Sequence, residues 1–357
     1  MHSLQQTVQT SVVTQSQTQQ DGHRRDGPGL GVLIFCMALR RLILSAGSVE
    51  TQTARREMHL RFQAITPLDK QDRFPVAVIE DEELSHGAQG CVYRGTLDGG
   101  GTCAVKKFKY IEDFRQELKN LSLVQTVRGC IKAIGYTDNG SGWILFPLYL
   151  GSLTQLFKTK PSGSISDVSF LDDIGTFFQT LCALHKAGFI HLDVKPSNIL
   201  CDYRPGAGYR LIDFCTLSRK QRYSTVVCYS EYGRRGPAGW RSDVFSAGAT
   251  ALETLVWKDK GPEGVENFRS ERSREQNESD NSEKTAFFDI KDPVTGCWNL
   301  SKVVQNRLNE FAKYIPERVA VIKGMLELRL SMEEAVIKWE EALSNMQRLV
   351  NPLCRNT

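Results

Sequence analysis

Twelve residues constrain this chain more than any others: Phe189-Ile190-His191-Leu192-Asp193-Val194-Lys195-Pro196-Ser197-Asn198-Ile199-Leu200. They set a carboxylate, an ammonium and a carboxamide at positions 193, 195 and 198, between an amphipathic helix pattern and a short apolar strand. A carboxylate can accept a proton from a hydroxyl. A lysine two residues on can neutralise phosphate charge, and an amide oxygen five residues on can hold a divalent metal. Taken alone, the spacing is equally that of a polar turn, so the flanking sequence decides.

Upstream, Phe74 to Tyr149 is mostly strand-like. Val76-Ala77-Val78-Ile79 leads into Leu84-Ser85-His86-Gly87-Ala88-Gln89-Gly90-Cys91-Val92-Tyr93. The turn Asp98-Gly99-Gly100-Gly101 precedes Thr102-Cys103-Ala104-Val105-Lys106-Lys107-Phe108. Tight glycine loops between apolar runs read as a β-meander. Gly87 and Gly90 would let backbone lie close over a phosphate group, although a plain hairpin turn explains a glycine pair as well. The strand lysine that follows sharpens the reading, because Lys106 comes directly after the apolar run Cys103-Ala104-Val105 and would point inward.

Ile111 to Val124 carries Phe114, Leu118, Leu121 and Val124 at helical spacing, with Glu117 in phase with that stripe. An isolated helix glutamate is normally solvated. Here it follows the strand lysine, and the pair could hold that lysine against phosphates. Cys130–Tyr136 and Trp143–Leu148 read as two further strands, and Pro147 onward as a hinge where backbone groups of Phe146 or Tyr149 would meet a ligand. Asp167 to Lys186 is a long helix, with Phe170, Ile174, Phe177, Phe178, Leu181 and Leu184 on one face. After the loop, Ile199-Leu200 and Arg210-Leu211-Ile212 form a small hairpin that ends at Asp213-Phe214-Cys215. A carboxylate emerging from a buried strand is costly without a cation to compensate it, and a metal bridging phosphates would do so.

In order, S-H-G-A-Q-G-C-V, A-V-K, the helix glutamate, H-L-D-V-K-P-S-N, D-F-C and Ser242-Asp243-Val244-Phe245-Ser246-Ala247-Gly248 resemble the eukaryotic-type protein kinase superfamily, from about 76 to 348. The late stretch Met325 to Glu334 extends the likeness, with Arg329 standing for the family's late arginine and Glu231 for its partner. The resemblance implies an α+β fold of two lobes, a small mainly β N-lobe and a larger mainly α C-lobe. It also implies a Ser/Thr protein kinase that uses ATP and Mg2+ on protein hydroxyls. Gly87, Gly90 and Val92 would cover the nucleotide, and Lys106, fixed by Glu117, would hold the α- and β-phosphates. Asp193 would be the base, Lys195 would meet the γ-phosphate, and Asn198 and Asp213 would hold metal. Lys195 favours Ser/Thr over Tyr specificity.

Three positions depart from the pattern. Ser85 replaces the first loop glycine, Leu192 the arginine of H-R-D, and Cys215 the glycine of D-F-G. Without that arginine the enzyme should not need an activation-loop phosphate, and a cysteine at 215 should bias the segment to one arrangement. The same departures motivate an alternative, a pseudokinase that scaffolds partners. H-L-D, D-F-C-x-L-S and the short activation segment, Asp213 to Glu231, also look similar to the conserved protein kinases of herpesviruses. That likeness implies action partly in a host nucleus and packaging in virions.

The expected organisation is a disordered tail at 1–29, an apolar segment and linker at 30–75, a kinase domain at 76–348 and a short tail at 349–357. The domain divides into an N-lobe at 76–149 and a C-lobe at 150–348, with a charged, mobile insert at about 258–284. The uncharged run Leu30–Leu39 is shorter than the roughly 20 residues of a membrane span. It reads as a helix packed on the domain, with a membrane-touching or targeting segment as the other reading. A net charge of +4 with no long single-sign block predicts no nucleic-acid arm. Ten cysteines without a C-x-x-C pair argue against a zinc motif and for reduced thiols, hence an intracellular location in cytoplasm or nucleus. Oligomeric state and substrate consensus leave no trace in the sequence.

Overall fold

Strand β4 (Thr102–Phe108) shows why the N-terminal half is a sheet. Its alternation turns Cys103 and Val105 to a buried face, where they pack with Leu145, and turns Lys106 to the opposite face. The structure is a computed structural model, and it describes residues 65–67, 76–97, 100–138, 142–201, 208–219, 224–227, 232, 237–278, 289–291 and 298–350. The expected tail at 1–29, most of 30–75, and residues 351–357 of the expected tail at 349–357 lie outside the described residues; 349–350 end a helix.

The sheet comprises β1 (Thr66–Pro67), β2 (Val76–Gly87), β3 (Gly90–Leu97), β4, β5 (Gly135–Thr137) and β6 (Trp143–Pro147). Their order is β1-β5-β6-β4-β3-β2, antiparallel except for β1 on β5. The pairing of Thr66 with Gly135 differs from the expected plain linker. The outer edge of β5 offers unpaired backbone groups, and two residues of the incoming chain satisfy them. Helix α1 (Ile111–Val124) crosses between β4 and β5, with Glu112 and Asp113 in its first turn where the helix dipole favours them. It buries Phe114, Leu121 and Val124, and also the polar Glu117 and Asn120.

The C-terminal half is helical. It opens with β7 (Gly151–Ser152) and the single turn α2 (Leu153–Leu156), closed by a capping box between Ser152 and Gln155. Helix α3 (Val168–Lys186) buries residues nearly all round, as a central helix must. Short strands β8 (Phe189–Ile190), β9 (Ile199–Cys201), β10 (Arg210–Leu211) and β11 (Ser218–Arg219) flank the polar loop. β9 pairs with both β7 and β10, and β11 pairs with β8. Two further ribbons join β12 (Ser224–Val227) to β13 (Pro237–Ala238) and β14 (Asp289–Lys291) to β15 (Trp298–Leu300). Between these ribbons runs α4 (Trp240–Glu278), and after them α5 (Lys302–Phe311), α6 (Pro316–Leu326) and α7 (Met332–Val350). Trp339 of α7 locks onto α3, its ring 5.1 Å from that of Phe178 and its Nε1 donating to the Leu171 carbonyl at 3.1 Å.

The expected mobile insert at about 258–284 is corrected over 258–278, which is helix. Val265, Phe268 and Arg272 recur at helical spacing and are buried, so the charged residues between them merely face outward. The helix breaks once, at Gly261 with φ 70°, before Pro262, which lacks the amide a continuous helix would need. Residues 279–284 lie outside the described set.

Candidate active site

The loop between β8 and β9 is hung from one buried carboxylate. Asp243 of α4 accepts from the backbone amides of His191 and Leu192, both at 2.8 Å, and lies 2.9 Å from His185 Nε2. Leu192 adopts φ 67°, a left-handed conformation that costs a branched residue about 1–2 kcal/mol, and the Asp243 bond holds it there. His191 Nδ1 accepts from the Asp193 amide at 3.3 Å, so Nε2 carries the proton and donates to the Ile212 carbonyl at 3.0 Å. The imidazole thereby ties the polar loop to the strand that delivers Asp213.

Asp193, Lys195 and Asn198 meet as the sequence placed them. Lys195 Nζ lies 2.7 Å from Asp193 Oδ2, and the Asn198 side-chain amide donates to the same oxygen at 2.9 Å and to the Asp193 carbonyl at 2.8 Å. The Asn198 nitrogen is thus fully used, which leaves its oxygen to accept or to ligate. Asp213 stands one residue past Ile212, whose amide donates to the Asn198 carbonyl at 3.0 Å. Two hard oxygen donors on adjacent backbones suit a magnesium-like ion.

On the sheet side, Lys106 forms an ion pair with Glu117 and stands 3.9 Å from Asp213 Oδ1. Burial acts to lower the Lys106 pKa, but the charges of Glu117 and then Asp213 outweigh it and hold the group above the usual lysine range. Phe214 is fully buried, its ring 5.3 Å from that of His191 in an edge-on contact. Asn120, one turn beyond Glu117, donates to the Phe214 carbonyl at 2.6 Å. The Cys215 thiol lies 3.1 Å from Gln89 Oε1 and 3.2 Å from Glu117 Oε2. Burial, followed by the nearby Glu117 charge, pushes that thiol far up, so it is a neutral donor. The residue that departs from D-F-G therefore links the glycine hairpin, α1 and the D-F-C turn.

Gly87 and Gly90 close the β2–β3 hairpin as a registered pair, and Val92 stands opposite Lys106. The two glycines are not equivalent. Gly90 has φ 153°, and a Cβ there would sit 2.0 Å from the Lys107 carbonyl oxygen, whereas at Gly87 the nearest atom would be 3.8 Å away. Gly90 is required by the adjacent strand itself, before any ligand is considered.

Arg329 is largely exposed and pairs with Glu327 at 3.1 Å, while its expected partner Glu231 lies outside the described residues. A buried ion cluster missed in the sequence forms elsewhere. Glu253 of α4, with no exposure, accepts from Arg269 Nε at 2.8 Å and from the Tyr232 hydroxyl, with Arg272 beside it at 3.5 Å. Asn120 and Gln89 were also missed. A polar residue on the apolar face of α1 was the available signal for Asn120, and nothing marked Gln89.

Residues 78–336 match the model of the protein kinase domain. A G-type lectin S-receptor-like serine/threonine-protein kinase, SD2-5 of Arabidopsis thaliana, is 30% identical over 195 residues, covering 48% of this chain and 23% of the relative. An LRR receptor-like serine/threonine-protein kinase, SIK1 of Oryza sativa subsp. japonica, is 32% identical over 198 residues, covering 49% and 20%. An L-type lectin-domain containing receptor kinase, V.9 of Arabidopsis thaliana, is 26% identical over 261 residues, covering 68% and 36%. The chain thus spans roughly a fifth to a third of the length of these relatives. With the two-layer arrangement of sheet and helices, the Lys106–Glu117 pair and the loop at 189–200 all falling inside the matched span, the chain belongs to the protein kinase family.

Proposed function

We propose that this chain is a Ser/Thr protein kinase that transfers the γ-phosphoryl group of ATP to protein hydroxyls. The observation that carries this reading is the closed Lys106–Glu117 pair in the same structure as the Asp193–Lys195–Asn198 network and a fully buried Phe214. Phosphoryl transfer asks the protein chiefly for positioning and charge stabilisation. Lys106 supplies fixed positive charge for the α- and β-phosphates. Asp193 orients the substrate hydroxyl and accepts its proton, and Lys195 balances charge at the γ-phosphate. Gly87, Gly90 and Val92 form the roof. Asn198 and Asp213 would hold Mg2+, which supplies charge neutralisation between the phosphates when bound. The printed names of the plant relatives specify serine/threonine, in keeping with Lys195.

The scaffold reading rested on Ser85, Leu192 and Cys215. Each has a structural place compatible with catalysis: Ser85 pairs with Val92 in the hairpin, Leu192 is held through its backbone, and Cys215 bonds Glu117. The placement near the herpesviral kinases rests on H-L-D and D-F-C-x-L-S, and the relatives named above are plant receptor-like kinases. We propose cytoplasm or nucleus as the location, on the ground that ten scattered cysteines without a C-x-x-C pair suit a reducing compartment. Among the described residues no helix is long and apolar enough to cross a membrane.

The test is labelled phosphate transfer from ATP to a Ser/Thr peptide library by wild type and Asp193→Asn. Loss of the base should lower the rate about 10²–10⁴-fold with the melting temperature unchanged. Equal incorporation by both proteins would exclude catalysis by this loop.

A further inference from the structure

A second cluster of ligating side chains lies outside the site just described. Glu83, His86 and Cys91 bring a carboxylate oxygen, an imidazole nitrogen and a sulfur within 4.8 Å of one another. His86 Nδ1 is 3.1 Å from Cys91 Sγ and 3.3 Å from a Glu83 carboxylate oxygen. Ligands of these three types around one tetrahedral zinc ion would be about 3.4–3.6 Å apart, from bond lengths of about 2.0–2.3 Å. The side chains stand close to that spacing already, and all three are solvent-accessible enough to admit an ion.

The backbone explains how they meet. In a regular strand Glu83 and His86, three residues apart, would face opposite ways. The β2–β3 register shifts between Glu83 and Ser85: Glu83 pairs with Tyr93 and Ser85 with Val92, so Leu84 is an extra residue. That bulge moves the strand by one phase and turns Glu83 to the face that carries His86 and its partner Cys91. Val92 and Lys106 occupy the opposite face. Lys107, registered opposite Cys91, carries its ammonium over the Trp143 ring at 5.3 Å. No sequence motif announces the trio, because its ligands converge across a hairpin.

We propose that Glu83, His86 and Cys91 form a binding site for a soft divalent cation of the zinc class, with the fourth position left to water. Thiolate and imidazole select such an ion over magnesium. The ion would clip β2 to β3 next to the Gly87–Gly90 pair, on the face away from Lys106. Occupancy therefore stiffens the hairpin without occupying the space of a nucleotide, and the site does not depend on the kinase reading.

Cobalt(II) titration of the purified full chain in excess Mg2+ tests this, with zinc as competitor. The expected result is a sulfur-to-cobalt charge-transfer band that saturates at one ion per chain and is displaced by zinc. Cys91→Ser should abolish the band, and His86→Ala should weaken binding about 100-fold or more, since even partners behind the ligands contribute 10–100-fold. Cys215→Ser should leave the band intact, which separates this site from the Glu117–Asp213–Cys215 group. Both side chains in the trio's variants are near the surface, and circular dichroism melting verifies that those variants fold. No band with wild type, an unchanged band in Cys91→Ser, or a band lost only in Cys215→Ser would overturn the assignment.

Discussion

Asn120, with Glu117, is a residue through which helix α1 holds the D-F-C turn, and its removal makes a quantitative test. Its amide donates to the Phe214 carbonyl at 2.6 Å, it is 3% exposed, and its own oxygen accepts from Gln116 at 3.0 Å. Asn120→Ala deletes this donor and leaves the Phe214 carbonyl with the Leu217 amide, at 3.0 Å, as its remaining partner. Losing one hydrogen bond from a group that keeps another costs about 0.5–1.5 kcal/mol. The cost falls on the docked arrangement, because an undocked turn lets water reach the same carbonyl. At about 1.4 kcal/mol per tenfold change, the docked fraction should drop relative to the undocked one by about 2- to 12-fold. The assay is kcat/KM for peptide phosphorylation, read beside the thermal shift produced by ATP and magnesium. Both should fall in Asn120→Ala. In Gln116→Ala, where the altered side chain is exposed, kcat/KM should stay within about twofold. Wild-type kcat/KM in Asn120→Ala would refute the idea that this bond holds the turn.

Three other outcomes follow from the geometry. Gly90→Ala should lose activity and stability, since its Cβ meets the Lys107 carbonyl, while Gly87→Ala should fold with an unchanged melting temperature. Buried Cys103 and Cys130 have thiols pushed up by desolvation to about 11 and about 12, from 9.0 in each case. Only the unfolded chain ionises them just above pH 9, so they contribute stability that is intact below pH 9 and is lost as pH rises toward 11–12. Chemical denaturation between pH 8 and pH 11, about the range spanned by these values, should show that decline, and Cys130→Ala should flatten it. Glu253→Ala removes the acid from a buried cluster with Arg269 and Arg272, and should cost about 3–5 kcal/mol in urea unfolding.

What the sequence disclosed was local chemistry with strong spacing. Helix α1 runs over Ile111–Val124, the interval its apolar period marks out, and the eleven-residue gap between Lys106 and Glu117 closes into an ion pair. What it hid were contacts between residues far apart in the chain. Asp243 lies within the Ser242–Gly248 stretch, yet nothing in its neighbourhood announces that two amides and an imidazole converge on it. The charge density of 258–278 outweighed the three inward residues Val265, Phe268 and Arg272 that make it a helix. Cys215 read as a loss of glycine freedom, and its bond to Glu117 depends on α1 packing beside the turn. Composition of one segment cannot report on a partner supplied by another.

The carboxylate of Asp243 also has a place in time. His191 and Leu192 precede it by 52 and 51 residues, so during synthesis the polar loop is made well before its anchor exists. At about 5–20 residues per second, the interval is roughly 3–10 s. Throughout it the left-handed backbone at Leu192 has nothing to hold it. The loop at 189–200 therefore takes its final shape only once α4 has emerged and folded against α3. A ribosome stalled between these points would present an N-terminal sheet with its Lys106 in place and no ordered base beside it.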